Sequence, residues 1–227
     1  MYDIVFISYQ EPNAEKNWEN LKSRFSTAKR VHGIKGIHQA HIAAAKKCFT
    51  KMFWVVDGDA EILDTFDFNY TVPEWELETV HVWRSKNPIN DLVYGYGGVK
   101  LLPQRLTKNM DISKPDMTTS ISSYFRAMPE VSNITAFNTD PFNTWKSAFR
   151  ECAKLASKTI VRQNEDETNE RLQIWQNVGQ DRPFGEYAIR GAYSGSNFGN
   201  LHRGIPDVLK QINDFDWLEE QFRAENF

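Results

Sequence analysis

Residues Phe53-Trp54-Val55-Val56-Asp57-Gly58-Asp59 constrain the fold more than any other stretch of the chain. Four large apolar residues in succession read as a strand of a parallel sheet, covered on both faces. The run stops abruptly at two aspartates separated by one glycine. In open α/β sheets, ligands gather outside the carboxyl ends of such strands. Two carboxylates held that close repel each other, and a divalent cation beside them relieves the repulsion. Oxygen donors of this kind suit Mg²⁺ or Mn²⁺. Gly58 lets the backbone turn sharply and lets a bulky anion approach. The same residues also make an ordinary acidic turn, because Asp-Gly pairs are common there.

Composition narrows the class. Of 227 residues, 41% are hydrophobic and 25% charged, which predicts a globular chain with material for a sizeable core. The formal net charge of −3 gives no overall attraction to nucleic acid and leaves a local basic face as the only route to it. No apolar run approaches the roughly 18 residues of a bilayer span, so no membrane association is expected. The chain enters Asp3-Ile4-Val5-Phe6-Ile7 without a basic leader or a small-residue cleavage site. Cys48 and Cys152 lack metal-ligand spacing. These features predict a reducing cytoplasm, and nothing in the sequence points to a protein partner.

Ile4 to Tyr9 reads as a buried first strand. Asn13 is placed to cap a helix with Trp18, Leu21 and Phe25 on one face. A short strand near Arg30 to Ile34 leads through Gly33 and Gly36 into a second helix that aligns Ile37, Ala40, Ala44 and Cys48. The Phe53–Val56 strand follows. This alternation predicts a parallel, doubly wound half. Beyond it, Glu78 to Trp83 alternates like a strand, and Val93 to Leu102, broken by Gly95, Gly97 and Gly98, is a candidate strand pair. Residues 104–123 are polar and aperiodic, which predicts a loop or lid. Asp140-Pro141 opens a helix with its cap and first-turn proline in their preferred places. Its stripe is Trp145, Phe149, Cys152, Ala156 and Ile160. Arg162 to Arg171 is a charged, solvated stretch, and Arg190 to Arg203, rich in glycine, serine and asparagine, reads as a loop. A last amphipathic helix from about Pro206 turns Val208, Ile212, Phe215 and Phe222 inward. With no repeat and no clear linker, a single domain is predicted.

So ordered, these pieces resemble the nucleotide-sugar glycosyltransferases of the GT-A fold. Phe6-Ile7-Ser8-Tyr9-Gln10-Glu11-Pro12 is similar to that family's opening strand and tyrosine-containing turn. Gly36 to Ala45 resembles its alanine-rich helix before the metal strand, with His41 where the family usually has asparagine. Asp57-Gly58-Asp59 matches its DxD motif, and Gly97-Gly98-Val99 resembles its glycine-containing strand on the acceptor side. The resemblance implies an α/β fold of the GT-A type with a mixed sheet. A Rossmann-like nucleotide-binding half would span about 1–103 and an acceptor-binding half about 104–227. It implies sugar transfer from a nucleotide-sugar, a UDP-sugar by family analogy, to an acceptor hydroxyl. The overall style also resembles small glycosyltransferases of tailed bacteriophages, which implies a hydroxymethylated pyrimidine in phage DNA as the acceptor. A glycan or protein hydroxyl is the alternative.

The resemblance makes Asp59 the more direct metal ligand and Asp57 a ligand or a partner for ribose or metal-bound water. A divalent ion there neutralises charge developing on the departing nucleoside diphosphate. His202 is expected to complete the metal shell, and Arg203 to meet the diphosphate as a bidentate donor. Both also read as plain surface. Ser8, Tyr9 and Glu11 are expected at the nucleobase and ribose, where an aromatic ring stacks on a base. His41 is expected at the nucleotide pocket, with a packed core histidine as its other reading, as for His38. An inverting enzyme needs a carboxylate base. Asp140 is the candidate, with helix capping as the other reading; Asp116, Glu151, Asp181 and Glu186 follow, so the stereochemistry stays open. Trp83, Tyr94, Tyr96, Trp145 and Trp175 are candidates for stacking surfaces or core. Lys100, Arg105, Lys108 and Lys114 are the basic residues within reach of a DNA acceptor. A nucleotidyltransferase and a non-catalytic nucleotide-sugar-binding protein are the competing classes; the first usually shows a lysine-bearing glycine loop, which Gln10-Glu11-Pro12-Asn13 is not.

Overall fold

The apolar run of β1 (Asp3–Ser8) leads into α1 (Ala14–Arg24), β2 (Lys29–His32), α2 (Ile37–Lys46) and β3 (Met52–Asp57). β1 pairs in parallel with β2 on one side and β3 on the other, the arrangement that helical crossovers impose. The structure, a computed structural model, describes residues 1–95, 97–159 and 163–225. Tyr96, Ile160 and Arg162, each given a place in the sequence reading, lie outside the described residues.

The chain continues through β4 (Ala60–Ile62), β5 (Val80–Lys86), β6 (Val93–Tyr94), β7 (Val99–Pro103), α3 (Gln104–Lys108), α4 (Met117–Ile121) and β8 (Phe125–Thr135). The strands join in the order β2-β1-β3-β7-β5-β8-β4, with β6 on β5. β7 runs antiparallel to both β3 and β5, whereas β5 and β8 are parallel. The expected α/β class with a mixed sheet is therefore what forms. Two local expectations fail. Among the described residues β6 and β7 do not pair with each other; both run antiparallel to β5, so the chain keeps one direction past Gly97, at φ +81, instead of turning back on itself. Residues 104–123 are not one loop, since α3 and α4 occupy part of them.

Two compact units result, the first formed by Met1–Asn87, Val93–Ile112 and Ser120–Ala136. Its sheet residues alternate between two buried faces. Ile4, Phe6, Trp54, Val56, Trp83, Val99 and Leu101 join Leu21 of α1 in one apolar cluster. Residues of the other parity, Val5, Phe53, Val55 and Leu102, are fully buried too. Trp83 packs on Trp54 with ring centroids 4.5 Å apart.

The second unit comprises Pro88–Leu92, Ser113–Thr119 and Phe137–Phe227. It carries α5 (Pro141–Ser157), α6 (Glu165–Asn177), α7 (Gly185–Leu201), α8 (Pro206–Leu209) and α9 (Phe215–Glu225). The expected loop over Arg190 to Arg203 is a correction, because α7 covers most of it. Gly191, Gly195 and Gly199 recur every fourth residue and form a smooth stripe on which α5 packs, so they serve a helix rather than break one. The charged stretch expected from 162 is solvated as read, most of its described residues being exposed, and α6 covers most of it. The single C-terminal helix is interrupted: Asp214 is extended, and its carboxylate accepts from the Asp216 and Trp217 N–H groups to start α9 afresh. Among the described residues, no helix is long and apolar enough to cross a membrane.

Candidate functional site

Three neighbouring strands deliver their ends to one place. The register sets Val55 opposite Lys100, so Asp57, two residues further along β3 and on the same face, is a diagonal neighbour of that lysine. The Lys100 side chain is 2% exposed; its ammonium donates to both Asp57 oxygens, at 2.8 and 2.7 Å, and to the Gly97 carbonyl. Withdrawing an ammonium from water costs several kcal/mol unless it is well paired, and here it has three acceptors. Asp57 stays 31% exposed and so links the buried cation to the outside. The Asp57 N–H donates to the Gly98 carbonyl at 2.9 Å. A Cβ on Gly98 would stand 2.5 Å from the Asn133 amide, so glycine is what lets β7 close on this edge.

Gly58 admits a third carboxylate. A Cβ there would lie 2.6 Å from Glu11 Oε2 and 3.1 Å from Ser8 Cβ. Glu11 is held by the Tyr9 N–H at 2.7 Å, and Asn17 donates to the Gly58 carbonyl at 2.9 Å. Burial pushes the Asp59 carboxyl up to about 7; the charges of Asp57 and Glu11 add to the rise and Lys100 opposes it. The edge carries three carboxylates, Glu11, Asp57 and Asp59, against the single ammonium of Lys100 on Asp57, an excess of negative charge that a hard divalent cation relieves. Among the described residues, no group of three or more His, Cys, Asp or Glu side chains is arranged to hold a metal ion. Asp57 and Asp59 fit an ion shared with phosphate oxygens and water, since Mg²⁺ at nucleotide sites takes one or two carboxylates from the protein.

Ser8 is buried at the end of β1, with its hydroxyl 2.9 Å from His32 Nδ1 and accepting from Arg30 Nε at 3.1 Å. Arg30 also pairs with Glu15 at 2.7 Å and lies 5.7 Å from the rings of Phe6 and Trp18. Tyr9, partly exposed, follows directly. Sequence reasoning passed over Arg30 and His32. Their spacing of two on a strand is the signal that both face one side, but the register that sets them opposite Phe6 and Ser8 is tertiary. His41 is buried on α2, with Nδ1 2.7 Å from the Ile37 carbonyl and Nε2 lacking a hydrogen-bond partner among the described residues. Burial lowers its pKa to about 3, and the Lys100 charge acts the same way, so the imidazole is neutral. His38 is buried against the Ser120 hydroxyl at 3.1 Å.

Other expected residues belong to the helical unit. His202 closes α7, its ring centroid 4.7 Å from that of Phe198. Arg203 donates to the Ala156 carbonyl at 2.8 Å and to Asn200 Oδ1 at 3.1 Å. Asp140 is the N-cap of α5, accepting from the Asn143 N–H at 2.7 Å and from the Asn143 amide at 2.5 Å. Asp116 accepts from the Thr118 hydroxyl at 2.5 Å, Glu151 pairs with Lys154 at 2.9 Å, and Asp181 and Glu186 are exposed. Trp83, Tyr94, Trp145 and Trp175 are all buried, so they are core and not stacking surfaces. Lys100 is likewise no surface cation, whereas Arg105, Lys108 and Lys114 are exposed.

No family profile matches the sequence, and no curated protein matches it. Among solved structures, the mannosyltransferase PcManGT from Pyrobaculum calidifontis, in complex with GDP-Man and Mn²⁺, overlaps 100% of this chain and 88% of its own, at 8% identity and a TM-score of 0.44. HddC from Yersinia pseudotuberculosis overlaps 58% of this chain and 90% of its own, at 14% identity and a TM-score of 0.36. A glycosyltransferase involved in the glycosylation of the major capsid of PBCV-1 overlaps 56% and 81%, at 15% identity and a TM-score of 0.32.

Proposed function

We propose that the chain is a metal-dependent glycosyltransferase that moves a sugar from a nucleotide-sugar to an acceptor hydroxyl. The observation that carries this reading is the Asp57-Gly58-Asp59 turn at the carboxyl end of a parallel strand, crowded by Glu11 until Asp59 rises to about 7. Such an edge repels a diphosphate unless a cation joins it. Asp57 and Asp59 are the proposed ligands, Mn²⁺ or Mg²⁺ the proposed ion, and UDP the proposed nucleotide. When bound, the ion supplies Lewis-acid neutralisation of the leaving diphosphate.

The residues of the chain supply binding and orientation. Ser8 and Tyr9 end the strand beside β3 and receive the nucleoside, with Arg30 and His32 lining the adjacent strand end. Lys100 fixes the Asp57 carboxylate, and Gly58 keeps the turn open to a bulky anion. In the transfer, the acceptor oxygen bonds to the anomeric carbon while the bond from that carbon to the diphosphate oxygen breaks, and the acceptor hydroxyl's proton passes to a carboxylate base or to the departing diphosphate. A hydroxymethylated pyrimidine in phage DNA is the proposed acceptor, supported by the exposed Arg105, Lys108 and Lys114; a glycan or protein hydroxyl is the alternative.

Calorimetric titration of UDP with and without Mn²⁺ tests the reading. Binding that requires Mn²⁺, is lost in Asp59→Ala, and is accompanied by UDP release from a UDP-sugar is expected. UDP affinity indifferent to both the ion and Asp59 overturns it.

A further inference from the structure

We infer that Lys100 is a positioning residue that acts as the resident cation of the carboxylate edge, setting its charge so that a divalent ion and a diphosphate bind together. The inference rests on the metal-and-diphosphate reading above. With 2% of its side chain exposed and its ammonium committed to Asp57 and Gly97, Lys100 does not reach a ligand itself. It acts through Asp57, and the same ammonium ties the Gly97-Gly98 turn to the end of β3.

Charge arithmetic gives the consequence. In the ion-loaded edge, with Glu11, Asp57 and Asp59 all ionised, the carboxylates contribute −3, Lys100 +1 and the divalent ion +2, which sum to zero. Without the lysine, the loaded edge would keep a negative charge facing a diphosphate. Removing Lys100 therefore strengthens capture of the ion and weakens capture of the nucleotide. A defect of packing alone lowers both. A unit charge this close to a divalent ion is worth about tenfold in affinity even at the dielectric of water.

Mn²⁺ binding is measured by electron paramagnetic resonance on the whole chain, and UDP binding by calorimetry at saturating Mn²⁺, for wild type, Lys100→Met, Lys100→Gln and Lys100→Arg. Both uncharged variants are expected to bind Mn²⁺ about tenfold more tightly and UDP several-fold more weakly, while Lys100→Arg stays near wild type. Lys100→Gln keeps a donor for Asp57 or Gly97, so it decides the matter where Lys100→Met fails to fold. Unchanged or weaker Mn²⁺ binding in folded Lys100→Gln overturns the role of Lys100, and so does a Lys100→Gln that cannot fold. Wild-type protein that takes up no Mn²⁺ overturns instead the metal-dependent reading on which the role rests.

Discussion

Gly195 of α7 lies so near Phe149 of α5 that a Cβ on the glycine would stand 2.2 Å from the Phe149 carbonyl oxygen. Gly191 meets the Trp145 carbonyl at 2.3 Å and Gly199 the Ala153 carbonyl at 2.4 Å by the same measure, so one seam of backbone contact runs along α7. Gly195→Ala gains up to about 1 kcal/mol of helix propensity. The added methyl meets backbone, which cannot rotate away, and overpacking of that kind costs about 1–3 kcal/mol. The steric effect is expected to win, giving a net loss of about 1 kcal/mol and a melting temperature lower by about 2–4 °C. Asn197→Ala, on the exposed side of the same helix, is the control and should stay within about 0.5 kcal/mol. A Gly195→Ala melt clearly above wild type would show that the seam is slack.

The edge of β3 and the interior of α2 bias stability with opposite pH signs. Asp59 has its pKa raised from 3.8 to about 7, so its contribution is full below pH 3.8 and is lost as pH rises through 7. His41 is lowered from 6.5 to about 3, so its contribution is full above pH 6.5 and is lost as pH falls through 3. Between about 4 and 6.5 the two slopes oppose each other. In metal-free protein, Asp59→Asn is expected to be more stable than wild type at pH 8, an advantage that shrinks toward pH 4. The gain is at most about 1.4 kcal/mol for each unit of raised pKa, and less for a side chain that keeps contact with water. Urea unfolding at several pH values checks this. Parallel wild-type and Asp59→Asn curves across the range would exclude the raised carboxyl.

Much of the first unit was legible because its signals are local. Unbroken apolar runs marked β1 and β3, 3.6-residue spacing marked α1 and α2, and the break at Asp57 marked the end of β3, where the candidate site lies. Lys100 was not legible. Standing in Val99-Lys100-Leu101-Leu102, it reads as an interruption to be solvated, and its partner lies 43 residues away in a register that only pairing creates. Glycine misled in the opposite direction at α7, where spacing by four signals close helix packing rather than a loop. β8 was hidden by Pro129 and polar neighbours. It is held by parallel pairing to β5, whose register shifts around Trp83 and Arg84 accommodate the irregularity.

Asp140 separates capping from proton transfer. Its carboxylate satisfies the start of α5 through Asn143, and loss of such a cap costs about 1 kcal/mol. Asp140→Ala is therefore expected to lower stability by that amount, while Asp140→Asn, itself a good cap, should melt like wild type. Sugar transfer by Asp140→Asn at wild-type rate marks Asp140 as a cap alone. A loss of turnover of a hundredfold or more in that stably folded variant would assign it the base.

The acceptor is tested through salt. A DNA acceptor requires phosphate contacts, and each neutralised phosphate releases counterions, so log affinity falls with log salt at a slope of about 0.9 per contact. With Lys100 buried on Asp57, the cations left for this role are Arg105, Lys108 and Lys114, all exposed. Arg105 already pairs with Glu78 at 2.9 Å, an exposed bridge that yields readily to a phosphate. Neutralising the three together to glutamine is expected to flatten the salt slope by about 2–3 and to weaken binding across sequences alike. Hydroxymethylcytosine-containing DNA should gain sugar from a UDP-sugar at low salt, read by mass spectrometry of the digested nucleosides, and lose that labelling in the triple variant. Protein that turns over its donor with Mn²⁺ yet leaves such DNA unlabelled at low salt moves the acceptor to a glycan or protein hydroxyl.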